Sequence, residues 1–563
     1  MLKQNVSVIL MVLSGLLVSC GQDFQFETQW FRHLVVRQAD SSDIRKGLTQ
    51  EGEYILALKD TSLLDLEESS EGVAFAVAQA LSIETGSDRI SQISEVKDDK
   101  TGQRYLTVGL TRVTSDELQG WKDLSLLHYA EPNWLSRPNA NYEDYSLALS
   151  KISPVRRNYL TTIGYEGALK LIGNKVTDND GPIVAVLDSG VDMEHPALAG
   201  KVFVNGNHWA QCNDDHDGCN VTNSTKRTFG EGGAFPYGLA EFGRSCHEAG
   251  RTLSRKEIGF CQHGTIISGI IAASPNGGEG LNMAPGICPG CRILNIKVLG
   301  DHGPSKGAIS DEALMNALGY LVDLKKQGVP IKVVNASYGK YRMSRTVSLK
   351  IKELSKMGSG VLFVAAAGNE NSKKPQYPAA LDEVMGVANI RSGSGQKHES
   401  SNYGSWVDIA APGSSELSGL GLCSSSPGGD IGCGQGTSFA APVVAGVAGL
   451  VLSEKPDMTA GEVRNLLLKS SDVNMLLSGN RLLLSGGAGD PTQAIRGQLG
   501  AGVVSASRAL SGNIADLAQL AEPQDRVGKG CGVVGSDGTL QLQWFWLVLP
   551  LFILFFSRTS SDA

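Results

Sequence analysis

The sequence predicts an α/β fold, a three-layer sandwich around a mainly parallel sheet, preceded by a small α+β unit. Three observations carry that prediction. Short unbroken apolar runs, Ile183–Leu187 and Val361–Ala367, have the length of strands buried on both faces, and Ile331–Val334 reads as another strand. Two longer apolar stretches, Ile266–Ala273 and Val443–Leu452, read as buried helices. Ahead of them lies a compact alternation. Strands are expected at Tyr54–Leu58 and Tyr105–Leu110, helices at Gly72–Ile83 and Ser115–Trp121, and an edge strand at Leu126–Asn133 with Pro132 near its end.

The chain has 563 residues, 41% hydrophobic and 19% charged, which is ordinary globular material for two or more domains. A net charge of -8 and the lack of a basic aromatic stripe exclude an evident nucleic-acid surface. At the N-terminus Lys3 precedes an apolar run, Val6–Val18, which fits an export signal and is short for a membrane span. The run ends Leu17-Val18-Ser19-Cys20-Gly21, which resembles a bacterial lipoprotein lipobox. That resemblance implies a diacylated Cys20 as the first mature residue, and the lack of a following Asp implies the outer membrane. An ordinary signal peptide with an incidental cysteine is the alternative.

Eight of the ten cysteines are central: Cys212, Cys219, Cys246, Cys261, Cys288, Cys291, Cys423 and Cys433. An even set in an exported chain reads as disulfides, most simply between neighbours: 212–219, 246–261, 288–291 and 423–433. The 288–291 spacing also fits a redox or zinc pair, although export and the lack of a second such pair argue against zinc. At the far end, Cys531-Gly532 precedes an apolar run from Trp544 to Phe556, then Arg558. The run is shorter than the roughly 20 residues of a full span, with aromatic and basic residues at its two edges. It resembles the C-terminal sorting tags of Gram-negative surface proteins, and a simple tail anchor fits equally.

Four local signals carry the chemistry. The run Ile183–Leu187 delivers Asp188 at the C-terminal edge of a strand, before the Ser189-Gly190 turn. His263-Gly264-Thr265 opens the helix Ile266–Ala273. The run Val361–Ala367 ends in Gly368-Asn369, and Gly436-Thr437-Ser438 leads into an apolar helix. Each has a plain reading alone, as a turn, a surface histidine or a Ser N-cap. Together they supply what acyl transfer needs: a nucleophile, a base, a carboxylate to orient the base, and an oxyanion donor.

The stretches Val-Leu-Asp-Ser-Gly-Val-Asp, His-Gly-Thr, Ala-Ala-Gly-Asn and Gly-Thr-Ser-Phe-Ala-Ala-Pro are similar to the four signature blocks of the subtilase family, over about residues 155 to 511. The resemblance implies Ser438 as nucleophile, His263 as general base and then acid, and Asp188 as the group that holds the imidazole. It implies an oxyanion hole from the Asn369 amide and the Ser438 N–H. It also implies a substrate groove at Ser337, Tyr338, Gly339, Ala366 and Gly368, where the substrate backbone pairs as an added strand. Lys340 follows that edge; it either sits at the groove rim and favours acidic side chains or is a solvated loop lysine. No cofactor is expected for the chemistry. Asp214, Asp215 and Asp217 fit either a structural Ca²⁺ site or a solvated acidic loop.

Residues 129–138, Tyr-Ala-Glu-Pro-Asn-Trp-Leu-Ser-Arg-Pro, resemble the end of an inhibitor I9-type propeptide, which implies a ferredoxin-like inhibitory unit. The organisation expected is a signal at 1–19, a tether at 20–47, the propeptide at 48–138, a linker with autocleavage at 139–155, the catalytic unit at 156–511, a linker at 512–530 and a membrane or sorting segment at 531–563. The whole reads as an exported, envelope-associated serine endopeptidase, monomeric, acting on proteins or peptides and held as a zymogen by its own propeptide. A catalytically silent binding protein on the same fold is the competing reading. If the propeptide is cut away, the Cys20 lipid leaves with it, so the two anchors serve successive stages.

Overall fold

The computed structural model describes residues 35–36, 49–58, 81, 90–97, 104–123, 127–138, 158–172, 180–203, 218–222, 255–274, 283–300, 307–416, 421–480 and 491–512. Cys20, all but Leu81 of the helix expected at Gly72–Ile83, the 139–155 linker, Asp214, Asp215, Asp217 and the 531–563 segment lie outside them.

The N-terminal unit contains β1 (Val35–Val36), β2 (Thr49–Leu58), β3 (Ile90–Lys97), β4 (Arg104–Leu110), α1 (Ser115–Asp123) and β5 (Leu127–Pro138). Its strand order is β1-β5-β2-β4-β3. The alternating inner face, Tyr54, Leu56 and Leu58 with Leu106, Val108 and Leu110, packs with Leu118 and Trp121 of α1 into a core of its own. The last strand departs from expectation in two ways. It is not an edge, because β1 and β2 flank it, and it runs on to Pro138. Strand β3 was not expected either, since ISQISEVK offers little apolar signal.

The rest of the chain supplies α2 (Asn158–Thr162), α3 (Tyr165–Ile172), β6 (Ile183–Asp188), β7 (Cys219–Asn220), α4 (Arg255–Ala272), β8 (Arg292–Lys297), β9 (Ile309–Ser310), α5 (Asp311–Lys326), β10 (Ile331–Ala336), β11 (Tyr338–Gly339), α6 (Arg345–Lys356), β12 (Leu362–Ala366), β13 (Val384–Arg391), β14 (Ile409–Ser414), the hairpin β15 (Leu422–Ser426) and β16 (Asp430–Gly434), α7 (Thr437–Glu454), α8 (Ala460–Ser470), α9 (Val473–Gly479), α10 (Pro491–Leu499) and α11 (Ala506–Ser511).

Seven strands form one sheet in the order β14-β13-β12-β10-β6-β8-β7, and every neighbouring pair is parallel. Two large apolar clusters cover it. One holds α4 and α7, and the other holds α5 and α6. Strands β6 and β12 are buried along their whole length, which is why they read as unbroken apolar runs. By length and composition α7 is apolar enough to cross a membrane, yet Thr437 to Leu452 is buried in this core. Helix α8 begins with a full capping box between Thr459 and Glu462.

Two of the expected cysteine pairs are formed, Cys288–Cys291 and Cys423–Cys433, so the 288–291 pair is a disulfide. Cys219 and Cys261 are also in disulfides; Cys212 and Cys246 lie outside the described residues.

Candidate active site

The chain leaves β6 in opposite directions, to β8 on one side and to β10, β12, β13 and β14 on the other. That reversal opens a crevice at the carboxyl ends of the strands. Asp188 ends β6, Ser337 follows β10, and Asn369 comes three residues after β12. All of these motifs therefore reach one edge of the sheet.

His263 is not at a helix start. It lies inside the 18-residue α4, which begins at Arg255. The polar, Gly-containing stretch before it hides this helix from apolar periodicity. Asp188 Oδ1 accepts from His263 Nδ1 at 2.6 Å and from the Ser189 N–H at 2.7 Å. Gly264 explains how the helix comes so close. A Cβ there would lie 2.3 Å from the Gly190 carbonyl oxygen, while its N–H donates to Ser189 Oγ at 3.0 Å. Gly264→Ala is accordingly expected to push His263 away from Asp188 and cost about 1–3 kcal/mol through overpacking, checked by calorimetry.

Ser438 is the second residue of α7, and Gly436 is the N-cap, with φ of 134° and no side-chain cap bond. The cap reading of Ser438 is thereby removed. Its hydroxyl is buried and has no hydrogen-bond partner among the described residues. The Ser438 carbonyl is held firmly. Pro442, four residues on, has no N–H to offer it. The Ser337 hydroxyl donates to it instead at 2.8 Å, and Asn335 Nδ2 donates to Ser337 Oγ at 2.9 Å. The His263 ring meets Phe439, the neighbour of Ser438, edge-on with centroids 5.9 Å apart.

Asn369 takes the role that the N-cap glycine leaves open. Its Oδ1 accepts from the Thr437 N–H at 2.9 Å and from Thr437 Oγ1 at 3.2 Å. A backbone N–H only donates, so this end of the amide must be the oxygen, and the other end, Nδ2, is a donor. The Thr437 hydroxyl also receives the Gly368 N–H at 3.0 Å, tying β12's exit to α7. Asp188, His263 and Ser438 are all nearly or fully buried in this form of the chain.

The edge expected to form a substrate groove is occupied. The end of β5 lies antiparallel to β11, pairing Arg137 with Gly339 and Pro138 with Tyr338. On its other side Leu135 and Ser136 pair with Ser310 and Ile309 of β9. Lys340 is neither at a rim nor solvated; it is buried in an ion pair with Asp311. Sequence reading missed Asp311 because the two residues meet only through the fold. Of the other groove residues expected, Tyr338, Ala366 and Gly368 are buried at the same edge.

A sequence profile described as the subtilase family matches residues 179–502, more than half of the chain. The chain belongs to the subtilase family. Among its relatives it is 28% identical over 349 residues to the "Extracellular basic protease" of Dichelobacter nodosus, covering 60% of this chain and 55% of that protein. It is 31% identical over 297 residues to thermitase of Thermoactinomyces vulgaris, covering 53% of this chain and 83% of that protein. It spans about half the length of the two extracellular proteases it matches first. Fervidolysin from Fervidobacterium pennivorans, a keratinolytic enzyme related to subtilisin, superposes with a TM-score of 0.55 at 21% identity, covering 85% of this chain and 63% of that one; this likeness speaks to the fold alone. This subtilase therefore has the subtilisin-like α/β architecture expected from its sequence.

Proposed function

We propose that this subtilase is an exported serine endopeptidase that cleaves peptide bonds through an acyl-enzyme. Ser438 attacks the carbonyl, His263 takes its proton and returns it to the leaving amine, and Asp188 holds the imidazole tautomer. The Asn369 Nδ2 and the Ser438 N–H receive the oxyanion. The observation that carries the reading is the 2.6 Å bond between His263 Nδ1 and Asp188, which assigns the opposite ring nitrogen, Nε2, as the base. No cofactor enters this chemistry. The test is labelling with a fluorophosphonate: wild-type protein is expected to take it up at Ser438, and a Ser438→Ala chain to remain unlabelled. An unlabelled wild-type chain leaves the silent binding protein as the better reading.

The N-terminal unit, 48–138, is read as the propeptide that keeps the 156–511 unit inactive. The strand register of β5 supports this, and so does Glu131. That carboxylate, on β5, accepts from the Ser344 hydroxyl at 3.1 Å and from the Arg345 and Thr346 N–H groups at 3.0 Å each. It thus caps α6, and Asn133 Oδ1 accepts the Glu312 N–H of α5 at 3.1 Å. Glu131→Ala is expected to weaken this hold by about 1.5–3 kcal/mol. The readout is higher peptidase activity of the freshly processed chain before the N-terminal unit is degraded; unchanged latency counts against the role.

Placement at the cell envelope follows from the Cys20 lipidation and the 531–563 segment read in the sequence. Deleting 531–563 is expected to release the catalytic fragment from the membrane fraction. Structural Ca²⁺ at Asp214, Asp215 and Asp217 belongs to the same proposal, with a lower melting temperature in EGTA as its sign.

A further inference from the structure

The catalytic reading leaves one buried pair of charges unused. Lys340 directly follows β11, and Asp311 directly follows β9. These are the two short strands between which β5 lies, and each is hydrogen-bonded to β5 rather than to the other. Beneath that strand the Lys340 ammonium donates to Asp311 Oδ1. Asp311 is 0% and Lys340 8% exposed.

Both ends of this link are anchored. The Lys340 main chain exchanges two hydrogen bonds with Tyr377, of 3.0 and 2.8 Å. Asp311 is the first residue of the 16-residue α5, whose N-cap Ser310 accepts from Ala313 N. A carboxylate is favoured at that end of a helix. Burial raises the Asp311 carboxyl to about 6 and lowers Lys340, while their mutual attraction opposes both shifts. Facing Asp311 are Lys340, Glu131 of β5 and Ser344 ahead of α6.

Ser136 covers a cavity lined by Leu314, Lys340, Met343, Val347 and Leu381, and its hydroxyl is buried without a partner among the described residues. A buried ion pair is seldom retained for stability alone, since apolar replacements often do as well.

We infer that the Lys340–Asp311 pair is a tie that holds β9 and β11 at the spacing one extended peptide strand requires. It positions the substrate backbone upstream of the scissile bond and takes no part in breaking the bond. The inference rests on the peptidase reading.

The test compares Asp311→Asn, Lys340→Met and the double variant in the processed chain. Each is assayed on a peptide with one residue before the scissile bond and on one with five. The double variant leaves no unpaired buried charge, so it carries the test if the single variants do not fold. All are expected to lose about tenfold to a hundredfold in kcat/KM on the long peptide, through KM, with kcat on the short peptide within about twofold of wild type. Equal losses on both peptides, or no loss on the long one, overturn the inference. A wild-type chain that cleaves the short peptide but gains nothing from length sinks the tie and spares the peptidase reading. One that cleaves neither overturns both.

Discussion

Ser438→Ala is expected to lower kcat on a peptide substrate by about 10⁶-fold, a magnitude taken from subtilisin itself. Stability is expected to be unchanged or slightly raised. The reason is local: the Ser438 hydroxyl is buried without a hydrogen bond, so its removal orphans nothing and relieves a desolvated polar atom. The carbonyl of residue 438 keeps its bond from Ser337, because that contact is to the main chain. Active-site groups that stability would gain from losing mark a trade between stability and activity. Calorimetry and peptide hydrolysis on the same preparation check both halves. A loss below tenfold would end the nucleophile assignment.

The second large effect is at Asn369, where two roles can be separated. Asn369→Ala is expected to cost about 10²–10³ in kcat, the range found for the corresponding donor in subtilisin. It also removes the acceptor for the Thr437 N–H, worth about 1 kcal/mol of helix capping. Asn369→Asp keeps an oxygen at that position and so preserves the cap. It replaces the Nδ2 donor by a second oxygen, which repels an oxyanion. Activity is expected to fall at least as far as in the alanine variant while the melting temperature holds. Activity retained in Asn369→Asp would show that the Asn369 amide is not an oxyanion donor.

Why these residues were legible is a matter of range. Asp188 and Asn369 follow unbroken apolar runs, and Ser438 precedes one, so each is marked by its immediate neighbours. The parallel sheet was legible for the same reason, because strands buried on both faces lack polar interruptions. The beginning of α4 was not, since Arg255 to Gln262 carries no apolar period. Nor were the two-residue strands β9 and β11 as partners of β5, which exist only once the units meet. Lys340 shows the limit most sharply. Its charge suggested a solvent-facing or substrate-facing role, and a carboxylate 29 residues earlier in the chain decided otherwise.

The central sheet is assembled from strands that are all parallel, with the residues of the crevice drawn from positions as far apart as 188 and 438. Pairings of that kind close large loops before they return any contact, which makes the barrier between folded and unfolded chains high in both directions. For a chain with the proposed peptidase activity, that matters more than the depth of the free-energy well. Each molecule's lifetime among its own copies is governed by how rarely it opens, and an opened copy is consumed before it can return.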